Sequence, residues 1–212
     1  MSQVAISGNA SGTGTLTIAS PNTNSNYTLT LPTNTGTLIT TSSIGQVIPK
    51  AALPTGTVLQ VVSKTVTSVV TTTVSNNSTF YAISGLSATI TPTSSSSKIF
   101  AMVQLVGSGA TGYNYVTAFQ LWRTTTPIGV GDSASGFRQA SVGNMRASVD
   151  SNADFAVGWN YLDSPATTSA TTYQVACTVE SGNVVINTTA NNSSGSYASR
   201  SASSITLFEV AA

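Results

Sequence analysis

Along most of the chain, apolar residues come singly or in pairs and alternate with Thr, Ser and Asn. This period of two sets one face of a β-strand against a core. From Val58 to Val210 the pattern predicts strands over 58–74, 79–83, 87–91, 98–106, 115–123, 137–142, 154–161, 171–180, 183–188 and 204–210. Turn-forming stretches separate them: Asn76-Asn77, Ser94 to Ser97, Gly107 to Gly112, Ser133 to Gly136, Asp163-Ser164-Pro165, Ser181-Gly182 and Asn191 to Gly195. Short strands at this spacing predict an all-β fold, a jelly-roll-like antiparallel β-sandwich. No window of about ten residues or more keeps a helical period, which excludes an α/β architecture. Glu180-Ser181-Gly182-Asn183 reads as a hairpin, with Ser181-Gly182 supplying the positive φ of a two-residue turn. Tyr173, Val175, Cys177 and Val179 fall on one side of their run, so the single cysteine reads as a small buried hydrophobe. The closing run Ile205 to Val210 predicts a strand paired inside the sheet.

Residues 1–49 are different in kind, because the first charged side chain is Lys50. Val4-Ala5-Ile6, Thr15 to Ile18, Tyr27 to Leu31 and Thr37-Leu38-Ile39 read as short extended pieces punctuated by Gly, Pro and Asn. So narrow a β-arm buries too little to stand alone and requires a surface supplied by sister chains or another protein. The expected organisation is an extended arm over 1–49, a connector over 50–57 containing Pro54, and a β-sandwich domain over 58–212.

Charge narrows the partners. The 212 residues include seven basic and six acidic side chains, a net charge of +1 and a charged fraction of 6%. That leaves no electrostatic footprint for nucleic acid. Hydroxyls and amides carry the polarity, which suits close approach between subunits without desolvated ions. One cysteine excludes an internal disulfide framework. No basic-then-apolar leader and no membrane-length apolar run is present, so neither a signal peptide nor membrane insertion is expected.

Candidate chemistry is sparse. Gly107-Ser108-Gly109-Ala110-Thr111-Gly112 matches the dinucleotide fingerprint, but Tyr113 to Val116 continues as a strand where a helix would have to receive the pyrophosphate, so a hairpin loop is expected. Asp150, Asn152 and Asp154 place oxygen ligands at alternate positions like the opening of a calcium loop. Phe155 stands where the loop needs glycine and Tyr161 where a glutamate should close it, which favours a solvated turn over a metal site. There is no histidine, which removes the usual general base and the Ser-His and Cys-His pairs. Paired carboxylates for glycan cleavage have Asp150, Asp154 and Asp163 as their candidates. No cofactor is expected. Trp122 and Trp159 lie in strand-like segments, so core packing is expected for at least one. Tyr113, Tyr115, Phe137, Arg138 and Tyr197 fall in or beside loops, where aromatic faces and a guanidinium can meet a sugar or a protein receptor.

Several segments carry a resemblance. Thr28-Leu29-Thr30-Leu31-Pro32 with Thr35-Gly36-Thr37-Leu38 resembles N-terminal segments of bacteriophage virion proteins, particularly tail fibres and proteins of marine and cyanobacterial phages. Ser84 to Pro92, the serine run to Lys98-Ile99, Tyr161 to Pro165, Thr171-Thr172-Tyr173 and Ala202 to Leu207 with Glu209 resemble the β-domain that follows in such proteins. The resemblance implies a virion component assembled in the host cytoplasm, a homotrimer attached through its N-terminal region to other tail or capsid proteins. It implies a C-terminal domain facing out towards host surface glycan or protein. The chain lacks the long shaft of a tail fibre, so a short spike, a head fibre or a capsid decoration (cement) protein stays open. The expectation is a non-enzymatic structural protein; a glycan-active enzyme is the alternative of another class.

Overall fold

The structure, a computed structural model, describes residues 11–14, 23, 24, 26, 53–110, 115–132, 140–146, 152–192, 194, 195 and 198–212. Chain contacts group it into two compact units, Met1–Ser43 and Ile44–Ala212. The arm expected over 1–49 lies outside the described residues apart from 11–14, 23, 24 and 26, which are turn and coil. Residues 50–52 of the connector lie outside them too.

In the second unit the strands are β1 (Val58–Val66), β2 (Val70–Thr73), β3 (Tyr81–Ile90), β4 (Lys98–Gly107), β5 (Gly109–Ala110) and β6 (Val116–Arg123). They continue as β7 (Thr126–Ile128), β8 (Gly143–Arg146), β9 (Phe155–Asp163), β10 (Thr171–Val179), β11 (Asn183–Ile186) and β12 (Ser203–Val210). Every pairing between them is antiparallel. The described residues contain no helix, so none is long and apolar enough to cross a membrane. The expected all-β, antiparallel class is what the structure has.

The strands form three sheets: a four-stranded sheet ordered β1-β12-β4-β9, a five-stranded sheet ordered β3-β10-β6-β7 with β8 also on β6, and a three-stranded sheet ordered β2-β11-β5. Inward positions of the two larger sheets meet in one core. Ile99, Ala101, Val103 and Leu105 of β4 and Ile205 and Leu207 of β12 share it with Phe119, Leu121, Tyr173, Val175 and Cys177. Each fully buried side chain of this size contributes about 1.5–3 kcal/mol. The strand β12 lies between β1 and β4, paired inside the sheet as expected. The ladder continues past its end, with Gly56 N–H donating to Ala211 O at 2.8 Å and Ala211 N–H to Thr57 O at 2.9 Å.

Several expected boundaries move, each for a local reason. The run 58–74 is two strands, since β1 pairs with β12 whereas β2 pairs with β11 in another sheet. Between them the Asn187 side-chain amide donates to Val66 O and Ser68 O, both at 2.8 Å. The runs 79–83 and 87–91 are one strand, β3, whose register on β10 slips between Ser87 and Ala82. Gly85 has φ +77 in that bulge, and Ile83 and Leu86 both remain buried. Residues 140–142 are not strand, β8 follows them, and 137–139 lie outside the described residues.

The expected hairpin at Ser181-Gly182 is a corner. Gly182 does take positive φ, +88, but β10 and β11 belong to different sheets. Both edges of β10 are already occupied by β3 and β6. The glycine-rich stretch after β4 is likewise a crossover between sheets, because β4 pairs with β12 and β9 while β5 pairs with β11. A Cβ on Gly107 would stand 2.7 Å from Ile186 Cα and 2.7 Å from Val185 O, so close backbone approach requires glycine there.

Candidate functional site

Three buried polar groups tie this fold together. Asp163 ends β9 in the four-stranded sheet, while Arg123 ends β6 and Tyr173 sits on β10 in the five-stranded sheet. Arg123 Nη1 donates to both Asp163 carboxylate oxygens at 3.0 Å and to Ser164 O at 3.3 Å. The Tyr173 hydroxyl donates to Asp163 Oδ2 at 2.7 Å. Burial, then the hydrogen bond to Asp163, pushes the phenol well above the usual tyrosine range. Tyr173 is fully buried and Asp163 nearly so, which leaves the Arg123 side chain, 32% exposed, as the solvent side of the cluster. The carboxylate is thus enclosed as a pin between sheets.

The second pin is Glu209, fully buried on the inward face of β12 beyond Ile205 and Leu207. Its Oε1 accepts the Thr93 N–H at 2.7 Å and the Thr93 hydroxyl at 2.6 Å, and its Oε2 accepts from Gln60 Nε2 at 2.6 Å. Burial alone would raise its pKa. The Thr93 hydroxyl, the Gln60 amide, the Thr93 backbone N–H and the Ser97 hydroxyl outweigh that and hold it below the usual range.

The third is Asn187, fully buried in the left-handed region at φ +63. Besides its two amide donations it accepts the Ser203 hydroxyl at 2.7 Å, and Ser203 Oγ in turn accepts the Val106 N–H at 3.0 Å. Its own N–H donates to Val106 O at 2.7 Å. Left-handed geometry suits asparagine better than other residues with a Cβ.

The calcium-like candidates are engaged elsewhere. Asp154 Oδ2 accepts the hydroxyls of Ser199 and, at 3.3 Å, Ser201. Asn152 Oδ1 accepts the Asn191 side-chain amide. Around them Arg200 donates to Thr188 Oγ1, and the Thr188 hydroxyl to Asn192 Oδ1 at 3.2 Å. Asp150 lies outside the described residues, and among the described residues no three His, Cys, Asp or Glu side chains group to hold a metal.

Of the aromatic and cationic candidates, Tyr113, Phe137, Arg138 and Tyr197 lie outside the described residues. Tyr115 is half-buried and packs against the core. Trp159 also packs there, stacked on Phe119 with ring centroids 6.1 Å apart, and its buried Nε1 has no partner among the described residues. Trp122 donates its indole N–H to Gln120 Oε1 at 2.7 Å.

A surface feature was missed from the alternation. Lys98 to Val106 is apolar at nearly every position, a signal of a strand covered on both faces. One face of β4 meets the core, and the other carries Phe100 and Met102 outward beside Phe208 and Leu162. A scan against protein-family models gives no match, and a search of curated proteins gives none either.

Proposed function

We propose that this chain is a non-enzymatic structural protein of a bacteriophage particle, of the tail-fibre or spike type. Residues 1–49 attach it to the particle, and a jelly-roll-like sandwich is displayed for adsorption to the host surface, in a homotrimer. The observation that carries the reading is how three of the five described carboxylates are used. Asp163, Glu209 and Asp154 each accept internal hydrogen bonds and brace the domain, while Asp132 and Glu180 are exposed. The resemblance of Thr28 to Leu38 and of the later segments to phage virion proteins supplies the context. Asp163, Tyr173 and Glu209, which anchor two of the three buried clusters, all lie in those later segments.

Cryo-electron microscopy of intact particles, with and without residues 1–49 in this chain, tests the reading. Tail density that disappears on deletion is the expected result; particles that incorporate the shortened chain equally well refute the attachment role.

A second reading, capsid decoration, is favoured by the outward apolar row of the four-stranded sheet, which suits a protein that clamps neighbours by burial. Particles lacking the protein would then lose heat resistance and still adsorb. The glycan-active alternative requires Asp150, Asp154 or Asp163 to act on a host polysaccharide. Asn substitutions at these positions that abolish clearing of host capsule while the domain stays folded would establish it.

A further inference from the structure

The register of the four-stranded sheet aligns Val61 of β1 with Phe208 of β12, Phe208 with Phe100 of β4, and Phe100 with Leu162 of β9. Phe208 and Phe100 point away from the core, because their strand neighbours Leu207, Ile99 and Ala101 are buried beneath, and Val61 and Leu162, aligned with them in register, are exposed on the same side. The result is an apolar row crossing every strand of the sheet on its outer side. Val61 is 53% exposed and Leu162 47%, and the Phe100 and Phe208 rings tilt against each other with centroids 6.2 Å apart. Met102, 46% exposed, widens the row by one position. A contiguous apolar patch rimmed by polar residues marks an interaction surface, unlike apolar residues scattered singly.

We propose that this outer face of the four-stranded sheet packs against the same face of a second copy of the chain. The inference goes beyond the proposed function, because a same-face contact closes as a pair about a two-fold axis, apart from the homotrimer of that reading. Three features select a copy over a partner of other chemistry. The first is charge: among the outward positions of the four strands Lys98 alone is charged, at the margin where it pairs with Val210. An identical face therefore meets little repulsion, and a charged partner finds nothing to pair with.

The second is polar satisfaction. Flanking the row, the hydroxyls of Ser63 and Thr206 bond to each other at 2.8 Å, so covering them strands neither. The third is area. With about 4.8 Å between strands and about 3.4 Å per residue, the face measures about 19 by 30 Å, or about 570 Å². Two copies pressed together over the whole face, its polar positions Gln104 and Asn160 included, then bury about 1,100 Å², just above the roughly 1,000 Å² that a specific interface needs.

The test is sedimentation equilibrium of the full chain and of Phe100→Glu and Phe100→Lys. A same-face contact closes as a pair, so the wild-type chain is expected to sediment as two copies, or as six where it is also trimeric, and each variant at half that mass. Because the ring points outward, each variant should keep the wild-type circular dichroism spectrum. Mixing the two variants should restore the wild-type mass, since opposite charges then face each other across the same contact. Leu162→Ser repeats the test should the charged variants fail to fold. A wild-type single copy or trimer, variants that keep the wild-type mass, or a mixture that stays at half of it overturns the proposal. Incorporation into particles is read separately, so loss of the attachment role leaves this result standing, and the reverse.

Discussion

Replacing Glu209 by Gln changes one atom's chemistry inside the fold and should be costly. The amide oxygen can still accept both Thr93 bonds, but as neutral hydrogen bonds of roughly half the strength. On the other side the new NH2 faces Gln60 Nε2, donor against donor. Rotating the Gln60 amide relieves that conflict and breaks its bond to Thr91 O, now 2.7 Å. One lost bond at about 1 kcal/mol and two weakened charge-assisted bonds at about 1 kcal/mol each give a loss of about 3 kcal/mol. For a chain of this size that lowers the thermal midpoint by about 6–12 °C. The pH profile separates charge from shape. The folded-state pKa of Glu209 lies below its ordinary 4.5, so its stabilisation is complete above that value and is lost as pH falls through the folded pKa. Urea unfolding of both chains from pH 7 to pH 3 should therefore show a gap that narrows in acid. A variant within about 0.5 kcal/mol of wild type at pH 7, or a gap constant across that range, would refute the reasoning.

Other outcomes follow from the same geometry. Asp163→Ala should destabilise by about 3 kcal/mol, because it orphans the buried Tyr173 hydroxyl, and Arg123→Ala should destabilise too, because it leaves the nearly buried Asp163 carboxylate without its counter-charge; chemical denaturation measures both. Gly107→Ala should cost about 3 kcal/mol or prevent folding, the new methyl lying 2.7 Å from β11 backbone, as circular dichroism melting would report. Burial pushes the Cys177 thiol up to about 12 from 9.0, so above pH 9 the unfolded chain ionises first and stability falls by about 1.4 kcal/mol per pH unit from this group until the folded thiol also ionises; Cys177→Ala should remove that slope from alkaline urea titrations. Chelation should move the thermal midpoint by less than about 1 °C, since Asp154 and Asn152 already accept protein hydrogen bonds; a drop of several degrees would place an ion there.

Period-two alternation carried the all-β class and located β4, β6, β10 and β12 to within about a residue, because burying one face of a strand imposes that period whatever strand lies beside it. It also placed Tyr173, Val175, Cys177 and Val179 in the core for the same reason. Partners are another matter. Whether Ser181-Gly182 closes a hairpin or turns a corner depends on β3 and β6 having filled both edges of β10, and no local residue records that. The pins were half legible: a lone Glu209 at an inward position of an apolar strand announces a buried charge. Its acceptors' partners could not be read, since Gln60 and Thr93 stand 149 and 116 positions away and meet it only once the sheet is formed. The outward apolar row is the clearest case. Each of its residues is an ordinary strand letter, and only the register of β1, β12, β4 and β9 sets Val61, Phe208, Phe100 and Leu162 in one line. Local pattern follows from the burial of single faces and is written in the sequence; pairing and register follow from contacts between distant segments, and the tertiary structure alone decided them.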